Sequence, residues 1–128
     1  MEKAYIPPTV VTFMVSRELS VAVMVSNGKK TAKWFEENLG FKSIAEGHWI
    51  LVWPEGSTTK IHLCEGEPDP GNTGIAFYAK DAAKIAQRME DNGVKMTREF
   101  KKTQWGTNGM FADPDGNEYW LVEGTGPS

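Results

Sequence analysis

Trp105–Val122 reads WGTNGMFADPDGNEYWLV. A short apolar run ends at Phe111-Ala112, the polar Asp113-Pro114-Asp115-Gly116-Asn117 follows, and an aromatic and apolar run, Tyr119 to Val122, closes the stretch. Proline presets φ for the second position of a turn, Asp and Asn side chains hydrogen-bond nearby backbone, and glycine takes φ > 0 without steric cost. Two strand-like runs about such a turn predict a β-hairpin at the end of a sheet. The stretch shows no general acid, nucleophile or phosphate loop, and its plain use is to close that hairpin.

Upstream of the hairpin, Gly74–Ala79 and Val94–Phe100 read as strands. Between them Asp81 is placed to cap a helix, with Ala82, Ile85, Ala86 and Met89 as its apolar stripe and Gly93 as its stop. Asn108-Gly109 alone would suggest a tight turn, but Trp105–Ala112 makes one partner for Glu118–Val122 if it is left whole. The first half of the chain follows the same plan. Leu19–Val25 is a strand, Ser26-Asn27 caps a helix striped with Ala32, Phe35 and Leu39, and Gly40 is placed to end it left-handed. Phe41–Glu46, His48–Trp53 and Thr58–Cys64 then form a meander. Thr9–Val15, rich in β-branched residues, adds a further strand.

Two copies of a strand–helix–strand–strand–strand unit therefore follow one another, with the cap residues Asn27 and Asp81 set 54 positions apart. We expect one domain over 1–128. Module one covers about 19–64, a Pro- and Gly-rich linker about 65–72, and module two about 73–123. The fold class is α+β: two βαβββ modules whose small sheets meet edge to edge in a curved mixed sheet, helices outside.

Composition narrows the function. Of 128 residues 40% are hydrophobic and 24% charged, as in an ordinary soluble domain. A net charge of −3 and the lack of any Lys/Arg cluster argue against nucleic acid. No apolar stretch approaches the roughly 20 residues of a membrane span. The single Cys64 excludes an intrachain disulfide and fits a cytoplasmic location. Five tryptophans, Trp34, Trp49, Trp53, Trp105 and Trp120, bring large flat surfaces with a polar N–H. They serve equally well in a core or around a flat aromatic ligand.

From Leu19 to Glu123 the chain resembles the vicinal oxygen chelate superfamily: glyoxalase I, extradiol dioxygenases, fosfomycin-resistance enzymes and bleomycin-resistance proteins. The strand Ser20–Val25, the Leu39-Gly40-Phe41 helix exit, Trp105-Gly106 and Phe111–Asn117 carry the resemblance. It implies paired βαβββ modules and a homodimer, and no single reaction. Its metal-dependent members place ligands at four cavity-facing strand positions, which fall here on Ser20, His62, Gly74 and Trp120. Only His62 among them offers a metal-binding side chain, and a catalytic divalent site needs about three protein ligands. We therefore expect no metal and no other cofactor.

Period-two alternation assigns Ser20, Met24, His62, Tyr78, Glu118 and Trp120 to the face away from the helices. With Trp105 they are the expected ligand-binding residues, and no catalytic residue is assigned. Flexible Met24 suits an irregular apolar ligand; Trp120 offers a stacking plane; His62, Tyr78 and Glu118 are the few polar groups that orient it. Such a composition resembles the metal-free members that sequester a drug without changing it, and the expected partner is an aromatic or amphipathic small molecule such as an antibiotic. The alternative is a metal-dependent lyase, isomerase or transferase that uses His62 with atypical ligands. His62 is also compatible with a purely structural hydrogen-bonded role.

Overall fold

The structure is a computed structural model that describes residues 15, 16 and 18–126; most of the Thr9–Val15 expectation lies outside them. Strand β1 (Leu19–Val25) leads into helix α1 (Gly28–Leu39), then β2 (Lys42–Glu46), β3 (Trp49–Trp53) and β4 (Thr59–Glu65). The second module repeats the order with β5 (Gly71–Ala79), α2 (Ala82–Asp91), β6 (Met96–Thr103), β7 (Gly106–Ala112) and β8 (Asn117–Glu123). Each module forms its own four-stranded sheet, ordered β1-β4-β3-β2 and β5-β8-β7-β6, with one parallel pair and two antiparallel pairs. The edge strands β1 and β5 both border a hollow of about 340 Å³, lined by Ala22, Met24, Asn72 and Thr73 among others. No backbone ladder joins them.

The helix ends follow local chemistry. Asn27 accepts from the Lys30 backbone N–H at 3.0 Å, and Gly40 stops α1 at φ 68°, a left-handed conformation costly for residues with a Cβ. In α2, Asp81 takes the cap position but its side chain makes no capping bond; its backbone carbonyl receives Lys84 and Ile85 instead.

Several boundaries differ from the sequence reading, among them β6, expected over Val94–Phe100 and found at Met96–Thr103. Strand β5 begins at Gly71, inside the expected linker, because Gly71 and Asn72 already stand opposite Asn117 and Glu118. The ladder then breaks at 73–75, where Gly74 has φ 77° and the Asn72 side chain accepts its N–H. His48 belongs to the β2–β3 turn rather than to a strand. Trp105 lies in the β6–β7 turn, and β7 starts after it. Asn108-Gly109 does run inside a strand. A Cβ at Gly109 would stand 2.8 Å from the Phe100 Cα, so glycine there permits the close approach of β6 rather than a turn.

Both helices pack on one face of the sheets. Phe35 of α1 is fully buried and meets Phe77 of β5 and Tyr119 of β8 edge-on, while Trp34 reaches Phe111. The aromatic core is thus shared between modules.

The Asp113–Asn117 turn does more than close its hairpin. The buried Asp113 carboxylate accepts from the backbone N–H groups of Asp115 and Asn117, from the Asn117 amide, and from Tyr119 Oη at 2.8 Å. The Asn117 amide also donates to the Met24 carbonyl, 93 residues away, and Ser26 donates twice to the Asp115 carboxylate. This turn ties module two to the β1–α1 junction of module one. Burial, and then the neighbouring Asp113 carboxylate, push the Tyr119 phenol above its ordinary value of 10.0.

Removing the phenol in Tyr119→Phe leaves that Asp113 oxygen with one donor fewer, and should cost about 1–2 kcal/mol in urea unfolding at neutral pH. Because the folded protein holds this proton more tightly than the unfolded chain, the wild type should lose stability as pH rises above about 10. The variant should lose less of it over the same range.

Candidate functional site

Among the described residues no helix covers the second face of either sheet. On the first sheet, the pairing puts Ala22, His62, Leu51 and Ile44 in one row across β1, β4, β3 and β2. The Trp49 ring lies 4.8 Å from that of His62, tilted by 31°, and is well exposed. The His62 Nε2 stands 3.2 Å from the His48 carbonyl oxygen. A carbonyl only accepts, so Nε2 carries the proton and donates, which leaves Nδ1 as the acceptor nitrogen. Ser20 borders a hollow of about 340 Å³ with Trp49, Leu51 and Lys60, where the Lys60 ammonium sits over the Trp53 ring and pairs with Glu18 at 2.8 Å.

On the second sheet, the corresponding row is Ala76, Trp120, Met110 and Arg98. Trp120 is half-buried, and the Arg98 guanidinium reaches across the strand between them to lie 5.1 Å from its ring centre. Met110 is only 5% exposed, although neither helix covers this face, as expected of a side chain bridged by that pair. A second row holds Tyr78, Val122, Asn108 and Lys101.

The seven residues expected at the site divide. Ser20, Met24 and His62 stand on the open face of the first sheet; Tyr78, Glu118 and Trp120 belong to the second. No hollow described here is bordered by all of them. Met24 lines the gap between β1 and β5, and Glu118 a shallow hollow of about 660 Å³ with Pro70 and Lys95. Tyr78 borders an apolar crevice of about 410 Å³ between the modules, with Phe41, Phe77 and Ile85. Trp105, at its hairpin tip, is 83% exposed and stands apart. Arg98 was not anticipated. A register irregularity in β6 between Arg98 and Lys101 hides which of its residues share a face.

The four family ligand positions do not fit a metal ion. Ser20 is exposed and offers only a hydroxyl, Gly74 sits in the β5 irregularity without a side chain, and Trp120 lies beneath Arg98 with no acceptor to give, which leaves His62 alone. Among the described residues no three His, Cys, Asp or Glu side chains are grouped to hold one.

Fold and site together define a protein of paired βαβββ modules with two open, tryptophan-bearing sheet faces. The profile of the Glyoxalase/Bleomycin resistance protein/Dioxygenase superfamily matches residues 19–121, and the chain belongs to that superfamily. It is 29% identical over 120 residues to the uncharacterized protein YetH of Bacillus subtilis (strain 168), covering 86% of this chain and 100% of YetH. A solved superfamily member from Sphaerobacter thermophilus DSM 20745 aligns with TM-score 0.77 and 26% identity, over 88% of this chain and 100% of its own. TnmS3, an antibiotic binding protein from Streptomyces sp. CB03234, aligns with TM-score 0.75 and 28% identity, over 87% and 98%. No helix among the described residues is long and apolar enough to cross a membrane.

Trp105 and Trp120 should be separable by quenching. Trp105→Phe should remove a large part of the iodide-accessible tryptophan emission, the exposed Trp49 keeping the rest, and change stability by less than about 0.5 kcal/mol. Trp120→Phe should leave the accessible fraction near that of wild type.

Proposed function

We propose that this protein binds an aromatic or amphipathic small molecule of the antibiotic type on its open sheet faces, and releases it unchanged. The observation that carries the proposal is the replacement at the last-strand ligand position. Where the metal-dependent members place a carboxylate, Trp120 presents a ring seated under Arg98. That exchanges a metal-binding group for a stacking surface. The likeness to an antibiotic binding protein at 28% identity supports the same reading. No metal or other cofactor takes part in it, and we place its action in the cytoplasm, where the free Cys64 stays reduced.

We further propose that the protein works as a homodimer. The exposed Trp49, Ile44 and Tyr78 are large apolar side chains on the uncovered faces and edges of these sheets. A partner module over each face closes the open surface into a cavity and removes apolar area from water. Binding then combines residues of both chains, a reading that accommodates the division of the seven expected site residues between two sheets. The metal-dependent alternative, resting on His62, finds no grouped further ligands among the described residues.

A panel of aromatic antibiotics titrated against tryptophan emission tests the proposal. At least one should quench saturably, be recovered with unchanged mass, and bind roughly tenfold more weakly to Trp120→Ala. Equal affinity in that variant, or a product of altered mass, would overturn it.

A further inference from the structure

We infer that the open face of the second sheet selects a planar aromatic anion, an aryl carboxylate in the simplest case, with Arg98 as the residue that reads its charge. The inference rests on the proposed small-molecule binding and names its ligand class.

Among the described residues two cations lie over tryptophans, and they differ. Lys60 over Trp53 is already neutralised by Glu18 at 2.8 Å. Arg98 over Trp120 has no carboxylate within ion-pair distance among the described residues. Its guanidinium stands over the ring across the Met110 position, and among the described residues its N–H fork has no carboxylate partner. Arginine held this way has lost part of its rotamer freedom before any ligand arrives, so less is lost when a ligand binds. The fork matches two oxygens on one carbon, the geometry of a carboxylate.

The surroundings agree in sign. The chain carries a net charge of −3, but the pairing puts Arg98 and Lys101 of β6 on this face, with Lys102, opposite Thr107, on the other. Lys101 stands opposite Asn108, which faces Val122 and through it Tyr78. The open face is therefore lined by cations along the β6 edge and by Trp120 and Tyr78 further in. Glu118, two residues from Trp120 and opposite Ala112, is the one acid placed there by the pairing, and its row ends at Asn72, away from the β6 cations. An aryl anion fits this gradient: its carboxylate takes the Arg98 fork, and its ring lies against the aromatic side. A cationic ligand meets Arg98 and Lys101 with the wrong sign.

The probes are 2-naphthoate and its neutral isostere 2-naphthamide, titrated by tryptophan quenching into wild type, Arg98→Met, Arg98→Lys and the distant surface variant Lys84→Met. The wild type and Lys84→Met should bind naphthoate roughly 10- to 100-fold more tightly than naphthamide. That preference should shrink in Arg98→Lys, vanish in Arg98→Met, and fall as salt is raised. Arg98→Met keeps an unbranched apolar stem over Met110, and unchanged thermal melting confirms that it folds. Equal affinity of both probes for the wild type overturns the anion preference and leaves small-molecule binding standing. A naphthoate preference that survives in Arg98→Met overturns the role of Arg98. Binding of neither probe up to millimolar concentration overturns the inference, while the small-molecule proposal stands or falls on its own antibiotic panel.

Discussion

One buried carboxylate holds the two halves of this protein in register. Asp113 gathers four donors from its turn and from Tyr119, and the residues it orders reach back to Met24 and Ser26 at the junction of the first strand and the first helix. A buried charge is costly unless its lone pairs are occupied; here the occupying groups come from the turn itself and from Tyr119 on the adjoining strand. The aromatic core depends on the same anchorage. Phe35 packs against Phe77 and Tyr119 only because the second sheet is fixed against the first helix. The open faces of both sheets inherit their positions from that junction.

Much of this architecture was legible in the sequence. Asn27 and Gly40 bracket a helix by cap chemistry, alternation along β1 and β8 separates core from open face, and the repeat of the pattern identifies two modules. The superfamily resemblance followed from the Leu39-Gly40-Phe41 exit and the final turn. The failures have common physical causes. Gly74 and Gly109 look like turn residues, yet one lies in a strand irregularity and the other permits a close strand approach. Trp105 looks like a strand start and is a hairpin tip. The reach of Asp115 and Asn117 to residues some 90 positions away has no local signature at all.

The site was legible in its residue types more than in its geometry. Period two correctly put His62 and Trp120 on faces away from the helices, but spacing could not show that Trp120 carries Arg98, or that His62 is already bonded to the turn before β3. Both facts bear on chemistry. A tryptophan under a guanidinium favours flat and electron-rich ligands, and a histidine whose Nε2 donates to a carbonyl keeps Nδ1 as its acceptor, with no second or third ligand grouped beside it among the described residues. The fold is one that serves many reactions, so function has to be argued from these side chains.

The account turns on the claim that this chain keeps the superfamily fold while its ligand positions have passed from metal binding to aromatic contact. Elemental analysis tests that most directly: protein purified without chelator, incubated with excess divalent zinc, manganese, nickel or iron, and desalted before measurement. The account predicts far less than one metal per chain for every ion, the same in His62→Ala as in wild type. About one tightly held metal per chain, lost in His62→Ala, would contradict it.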